Sequence, residues 1–167
     1  MYEIDLYKTL KYLFLVYLIG LSWFSIAQNE TKKWYFGAYA GLDFITSPPT
    51  ILTNGALLSN EGCASIADAS GNLLFYTDGA TIWDKTHSIM PNGSGLTGNS
   101  NTTQSALIVK QPGNVNLYYV FTLAPQVSGG LSYSIIDINL AAGNGSVIAK
   151  NYSLTSFSTE KLVGQRH

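Results

Sequence analysis

Short apolar runs separated by turn residues fill the chain after its first 27 residues. Runs at 62–67, 73–77 and 80–83 are divided by Asp-Ala-Ser-Gly and then by Asp78-Gly79. Runs of this length between Gly, Asn, Asp and Ser are typical of β-strands joined in hairpins. An Asp-Gly pair suits a two-residue turn, because both central positions of such a turn need a positive φ. The pattern predicts three strands in an antiparallel meander.

A second group of strands is predicted at 105–110 and 117–122, with a further run beginning at Leu131. Between 131 and 140 the apolar residues first alternate with serines, and their phase then shifts by one residue. Such a shift in a two-residue period predicts a β-bulge or a bend. After residue 27, no window of helical length keeps its apolar residues on one helical stripe, so we predict an all-β protein with very little helix.

The two strand groups superpose on each other along the sequence. Ile66 corresponds to Leu107 or Ile108, and 74–76 corresponds to 119–121, so the offset is about 41 to 45 residues. This offset is the period of a four-stranded propeller blade. We therefore predict antiparallel meanders in a partial β-propeller-like domain over residues 28–167, with a β-sandwich as the alternative.

The first 27 residues differ in kind from the rest. Two lysines precede an uncharged apolar run at 12–27, which ends in the small residues Ser25 and Ala27. This organisation predicts a signal peptide over residues 1–27, cleaved between Ala27 and Gln28. A retained anchor is the alternative, but 16 residues of helix fall short of a hydrocarbon core about 30 Å thick. We expect an exported protein in the periplasm, at the cell surface or outside the cell, with no stable membrane span after cleavage.

Charge and reactive side chains narrow the classes of function. A formal net charge of −1 leaves no basic patch for nucleic acid. Cys63 is the single cysteine, so it cannot form an intramolecular disulfide, and its apolar neighbours predict a buried, inert thiol. The two histidines, His87 and His167, do not occur in a metal-binding spacing. The sequence predicts no catalytic residues, no metal site and no cofactor.

Acidic and aromatic residues offer two other kinds of chemistry. Asp68 and Asp78 lie in predicted turns, where carboxylates usually accept backbone N–H groups, so no catalytic pair is nominated. Aromatic rings could instead form a platform on which sugars stack. The candidates are Trp34, Trp83, Tyr118 and Tyr119. Because side chains alternate between the two faces of a strand, we expect at least half of these rings to be in the core.

A series of segments resembles the N-terminal β-propeller-like region of large surface proteins of Bacteroidetes-type bacteria, which carry a gliding-motility-associated C-terminal domain for type IX secretion (type B sorting domain). The segments are WYFG (34–37), AGLDF (40–44), TNGAL (53–57), EGCASI (61–66), GNLLFYTDG (71–79), MPNG (90–93), TQSALIV (103–109), YYVFT (118–122) and EKL (160–162). The resemblance implies a non-catalytic secreted or cell-surface domain for structure, adhesion or interaction, with an unknown protein or glycan partner. The alternative is a carbohydrate-binding module or carbohydrate-active enzyme on a propeller scaffold.

Proteins of this family are much longer than 167 residues, and no sorting domain occurs in this sequence. The type IX destination is therefore not carried over, and the expectation of export depends on the predicted signal peptide. We expect two blade-like units in a truncated fragment. Because a propeller needs at least four blades to close, we also expect open apolar faces and a tendency to self-associate.

The predicted cleavage can be checked directly. When the full chain is produced with export in a bacterium, N-terminal sequencing of the exported protein should begin at Gln28, because signal peptidase selects the small residues before it. A sequence that begins at Met1 would contradict this prediction.

Overall fold

The computed structural model describes residues 10–12, 14, 29–125 and 129–164. The predicted cleavage site at Ala27 and Gln28, and most of the predicted signal peptide, lie outside the described residues. Eleven strands occur in the part of the chain that is described, and all their pairings are antiparallel. The all-β prediction is confirmed.

The strands form three sheets, and in each sheet neighbours in space are also neighbours in sequence. The first sheet contains β1 (Lys33–Phe36), β2 (Ala40–Asp43) and β3 (Thr50–Leu52). The second contains β4 (Ala64–Ala67), β5 (Leu73–Thr77), β6 (Thr81–Asp84) and β7 (Ile89–Ser94). The third contains β8 (Ala106–Lys110), β9 (Leu117–Leu123), β10 (Leu131–Asp137) and β11 (Ser146–Thr155).

The predicted strands at 62–67, 73–77, 80–83, 105–110 and 117–122 are all present, and their ends shift by at most two residues. The prediction of two units was wrong, because a third meander, β1 to β3, precedes them. Its strands contain only three or four residues each, too few for an alternating pattern to stand out. The second meander also has a fourth strand, β7, which was not predicted and which contains the turn-forming residues Pro91, Asn92 and Gly93. Proline is tolerated there because β7 is an edge strand.

The turn between β5 and β6 is one residue longer than the predicted Asp78-Gly79 turn. Gly79 has a φ of 92°, but Asp78 is not among the residues with positive φ, so this is not the two-residue turn that was expected. The carboxylate oxygen Oδ1 of Asp78 accepts hydrogen bonds from the N–H groups of Ala80 (2.9 Å) and Thr81 (2.7 Å). Because these hydrogen bonds keep Ala80 within the turn, β6 begins at Thr81.

The predicted irregularity near 131–140 occurs in the partner strand. β10 pairs with β9 in continuous register, whereas its pairing with β11 shifts at three places. At one of these places Asn151 has a φ of 63°, and its N–H donates to the hydroxyl of Ser134 (3.2 Å). The apolar phase shifts at Ile136 because Ser132 and Ser134 occupy the buried side of β10 before it, and not because the strand bends. After β10, the segment Leu140–Gly143 is a left-handed turn, since two of its alanines have positive φ.

Two apolar layers hold the three sheets together face to face. The layer between the first and second sheets contains Tyr35, Leu57, Leu73 and Tyr76. The layer between the second and third sheets contains Phe75, Ile82, Met90, Leu96, Tyr118, Val120, Ile136 and Val147. The second sheet is therefore covered on both faces.

Phe75 and Tyr76 point to opposite faces of β5, and a β-bulge places Leu73 on the same side as Tyr76. Ala67 pairs with Leu73 and Ile66 pairs with Phe75, so Leu74 is an extra residue. Without the bulge, Leu73 and Phe75 would point to the same face. With it, Leu73 faces the first sheet and Phe75 faces the third.

The segments that lead into successive sheets are also linked. Strand β4 contacts both β1 and β8, and β7 contacts β11. Ahead of β4, the amide of Asn60 donates to the amide oxygen of Asn101 (2.8 Å), and the N–H of Gly62 donates to the carbonyl of Thr102 (3.1 Å). A Cβ at Gly62 would lie 2.2 Å from the backbone nitrogen of Ser105, so this close approach requires glycine.

The layer between the second and third sheets should dominate stability. We expect Phe75→Ala to lower the free energy of unfolding by about 3–5 kcal/mol, because Phe75 is fully buried and its ring packs edge-on against Tyr118. Urea unfolding of the purified exported chain measures this change. Phe157→Ala, at an exposed position, is the control and should have little effect. Equal losses for both variants would contradict this account of the core.

Candidate functional site

The four aromatic residues proposed from the sequence lie in four different places. Trp34 is 50% exposed on the outer side of the first sheet, and Trp83 is half-buried and stacked on Tyr76. Tyr118 is only 2% exposed and lies in the layer between the second and third sheets, so it cannot take part in a surface platform. Tyr119 lies on the outer side of the third sheet. The structure does not bring the four rings together.

A cluster of four aromatic rings lies on the outer side of the third sheet, and only one of them, Tyr119, was proposed from the sequence. It is formed by Tyr119, Phe121, Tyr133 and Tyr152, which we call the outer aromatic face. The ring centroids of Tyr119 and Tyr133 are 5.8 Å apart, and those of Tyr133 and Tyr152 are 5.3 Å apart and nearly parallel. Tyr152 is 52% exposed. Three adjacent strands therefore present a continuous aromatic surface.

Aliphatic residues extend the outer aromatic face toward β8. Leu107 lies opposite Phe121 and Val109 lies opposite Tyr119, so both share this side of the sheet. The alternation in β9 and β10 could have revealed the face, since Tyr119, Phe121 and Tyr133 all occupy the phase opposite to the buried residues. The contribution of Tyr152 could not be predicted, because the irregular register of β11 sets its position.

A second feature is an open cleft of about 340 Å³ at the junction of the first and second sheets. Polar and apolar side chains share its walls, and they are Lys33, Tyr35, Leu52, Asn54, Asn72, Leu73, Lys85 and His87. The ring of Tyr35 stacks on that of Tyr76 with a centroid distance of 4.7 Å. The amine of Lys33 is paired with the carboxylate of Asp43.

A hydrogen-bonded chain crosses this junction. The hydroxyl of Tyr35 donates to Oδ1 of Asn54 (3.2 Å), and Nδ2 of Asn54 lies 2.8 Å from Nε2 of His87. With the amide donating to Nε2, the neutral imidazole carries its proton on Nδ1, which lies 3.1 Å from the hydroxyl oxygen of Tyr76. That oxygen also accepts from the N–H of Ala56 (2.9 Å). His87, on the turn after β6, thus joins the two sheets.

This arrangement favours the neutral form of His87. Burial lowers the pKa of His87 below its ordinary value, although the carboxylate of Asp84 opposes the change. A proton on Nε2 would also face the N–H group of Asn54. The nearby cations Lys33 and Lys85 line the same cleft. The junction is therefore built for a histidine that stays uncharged.

The aspartates of the described residues accept backbone hydrogen bonds that stabilise turns. Asp68 accepts from the N–H groups of Ser70 and Asn72, and Asp84 accepts from those of Thr86 and Ser88. Although burial raises it, hydrogen bonds from Asn72, Ser70 and Gly71 bring the pKa of Asp68 below its ordinary value. The backbone-binding roles expected for Asp68 and Asp78 in their turns are confirmed. Asp43 and Asp137 similarly accept the N–H group two residues further along the chain.

Cys63 is half-buried just before β4, and burial raises the pKa of its thiol. A raised pKa keeps the thiol protonated and poorly nucleophilic. Among the described residues, no three His, Cys, Asp or Glu side chains are grouped so that they could hold a metal ion. Within the same residues, no helix has both the length and the apolar character that crossing a membrane requires.

Comparison with known proteins adds no identification. No protein-family model, curated protein or solved structure matches this chain.

The hydrogen bonds that link His87 to Asn54 and Tyr76, which we call the histidine junction, should make the stability of the protein depend on pH. Because the pKa of His87 is lower in the folded state, the unfolded chain binds more protons below about pH 6.5. The free energy of unfolding should therefore fall as the pH decreases from neutrality through the folded pKa. Thermal unfolding measured across this window tests the effect.

The matched variant is His87→Asn, because asparagine tolerates the φ of 67° found at this position and does not titrate. It should flatten the pH dependence in this window. An unchanged slope would show that His87 is not the responsible group.

Proposed function

We propose that this chain is the N-terminal part of an exported surface protein and serves as a non-catalytic domain for structure, adhesion or interaction. Its three meanders correspond in this proposal to blades of a partial β-propeller. The outer aromatic face is the observation that carries the functional part of the proposal. Its ring of Tyr152 is exposed and those of Tyr119, Phe121 and Tyr133 are half-buried, and contiguous apolar surface that reaches solvent marks interaction sites in proteins.

The packing of the sheets supports the propeller-like assignment. Each meander stacks face to face on the one before it, and the first strands β1, β4 and β8 follow one another in contact. Propeller blades are four-stranded antiparallel meanders arranged around a central channel. The alternative sandwich has two sheets, whereas three successive layers occur here.

The roles of the acidic residues favour a non-catalytic domain. A glycosidase needs two carboxylates that face one sugar at a separation of about 5 to 10 Å. Here, five aspartates accept backbone N–H groups within their own turns. Glu160, in turn, accepts from the N–H and hydroxyl of Thr103. These bonds commit the carboxylates to holding the backbone.

Export and surface location are supported by the sequence of residues 1–27 and by the segments that resemble gliding-motility-associated surface proteins. These segments map onto the folded framework. The GNLLFYTDG segment covers β5 and its turn, and YYVFT lies within β9. The resemblance therefore concerns residues that form the sheets, and it supports a shared architecture more strongly than a shared ligand.

Carbohydrate binding is the second candidate, because tyrosine rings combine an apolar face with a hydroxyl group. The outer aromatic face contains three tyrosines, including Tyr119 from the set proposed from the sequence. A sugar polymer could stack on rings that span three strands. The exposed ring of Tyr152 would be its most accessible contact.

A glycan array combined with a polysaccharide hydrolysis assay separates these candidates. We expect the purified exported chain to release no sugar product and to show no saturable glycan binding, as an interaction domain for a protein partner would. Saturable binding that weakens about tenfold in Tyr152→Ser, equivalent to about 1.4 kcal/mol, would favour the carbohydrate-binding alternative. Val115→Ser, at an exposed position in the turn between β8 and β9, is the control. Hydrolysis would contradict the non-catalytic assignment.

A further inference from the structure

Three asparagines of this chain are followed directly by glycine, and they are Asn54, Asn92 and Asn144. In an Asn-Gly pair the glycine nitrogen can attack the side-chain carbonyl carbon of the asparagine, because glycine has no Cβ to block the approach or to restrict the backbone. The three pairs share the same local chemistry. Differences in reactivity between them therefore come from the fold.

The fold protects two of these pairs. Gly93 is buried in β7, and the amide of Asn92 donates to the carbonyl of Val147 on β11 (3.0 Å). Gly145 is also buried, and its N–H donates to the carbonyl of Leu140 (3.0 Å). Attack at either site requires the loss of a hydrogen bond that joins two strands or holds a turn.

Asn54 and Gly55 are placed differently. They lie in an irregular segment after β3, where Asn54 is exposed and Gly55 is half-buried. Within the described residues, the N–H of Gly55 has no hydrogen-bond acceptor. Asn54 also lines the open cleft at the junction of the first and second sheets. The attacking nitrogen is therefore unoccupied, and water can reach the amide.

The side-chain amide of Asn54 has two partners that suit the reaction. The hydroxyl of Tyr35 donates to Oδ1 (3.2 Å), which is the atom on which negative charge develops when Cγ is attacked. The nitrogen that leaves as ammonia, Nδ2, lies 2.8 Å from Nε2 of His87 at the wall of the cleft. Both partners are side chains, so the reaction does not disrupt a strand.

We propose that Asn54 is a site of spontaneous deamidation, and that its product places a carboxylate against His87. The nitrogen of Gly55 bonds to Cγ of Asn54 and gives up its proton through water to the departing nitrogen, so the Cγ–Nδ2 bond breaks and ammonia leaves. Water then adds to one carbonyl carbon of the cyclic imide and opens it to aspartate or isoaspartate. The proposal concerns the chain alone and is independent of the proposed function.

Deamidation changes the histidine junction. A carboxylate replaces the N–H group that faces Nε2 of His87, and an adjacent negative charge favours the protonated imidazole. Asp84 already acts in this direction, whereas burial opposes it. The other titratable groups near the imidazole are the hydroxyls of Tyr35 and Tyr76 and the amines of Lys33, which is paired with Asp43, and Lys85. The modified residue therefore adds a second negative charge beside a histidine that is otherwise kept neutral.

Peptide mapping by mass spectrometry tests the proposal on the purified exported chain, incubated at neutral to mildly alkaline pH. Deamidation at Asn54 should be at least about tenfold faster than at Asn92 and Asn144. In concentrated urea, which unfolds the chain, the three rates should converge. The proposal would be overturned by a rate at Asn92 or Asn144 that equals or exceeds the rate at Asn54 in the folded protein. The same tenfold difference in urea would also overturn it, because the selectivity would then come from local sequence.

The contribution of Tyr35 can be separated with Tyr35→Phe, which removes the donor to Oδ1 and keeps the ring that stacks on Tyr76. This variant should slow deamidation at Asn54 by about threefold or more. The rates at Asn92 and Asn144 should not change, which also checks that the fold is intact. An unchanged or faster rate at Asn54 would contradict the role given to Tyr35.

The effect on the junction can be measured with Asn54→Asp, which reproduces the aspartate product. In an NMR titration, the pKa of His87 should be higher in this variant than in the parent chain, and His87→Asn distinguishes its signal from that of His167. Val115→Asp adds the same charge at an exposed position and should leave the pKa of His87 unchanged. Equal pKa values in Asn54→Asp and the parent chain would overturn the proposed change at the junction.

Discussion

A sheet of three or four short strands cannot bury either of its own faces, and this constraint organises the whole molecule. Apolar side chains on such a sheet leave water only when another layer covers them. The described part of the chain meets this need by placing each meander on the preceding one. Its core is consequently divided into two thin layers that depend on each other through the second sheet.

The second sheet serves both layers because Phe75 and Tyr76, adjacent on β5, point to opposite faces, and one extra residue adds Leu73 to the side of Tyr76. In an ideal β5, the apolar residues Leu73 and Phe75 would compete for the same side. The bulge at Leu74 separates them and directs one large side chain to each neighbour. On the same strand, Tyr76 joins the side of Leu73, where its hydroxyl group meets His87 and the backbone of Ala56. Leu73 and Tyr76 therefore pack against the first sheet together, and Tyr76 also takes part in the polar junction.

Much of this architecture follows from the sequence, and the exceptions have physical causes. The strands from β4 to β6 and from β8 to β10 were predictable because apolar runs and turn residues act over short distances. The first sheet was missed because its strands are short and contain glycine and exposed aromatic residues. Strand β7 was missed because Pro91 usually marks a turn, and only the position of the strand at a sheet edge makes it acceptable.

The candidate sites were harder to predict than the strands. Tyr118 and Tyr119 are adjacent in sequence, yet one is in the core and the other is on the surface, as the alternation of a strand requires. Which of them is buried depends on where the second sheet packs. The grouping of Tyr119 with Tyr133 and Tyr152 depends on strand register. The histidine junction connects residues 33 positions apart, and no spacing in the sequence indicates it.

Two edge strands, β7 of the second sheet and β11 of the third, have irregular backbones that affect whether another strand can pair with them. Strand β7 contains Pro91, which has no N–H group to donate, and Asn92, whose φ of 61° breaks the regular strand backbone. Strand β11 is interrupted by irregular register and by a left-handed Asn151. Both features hinder the addition of a foreign strand along these two margins. Backbone pairing of the kind that produces amyloid is thereby disfavoured at β7 and β11.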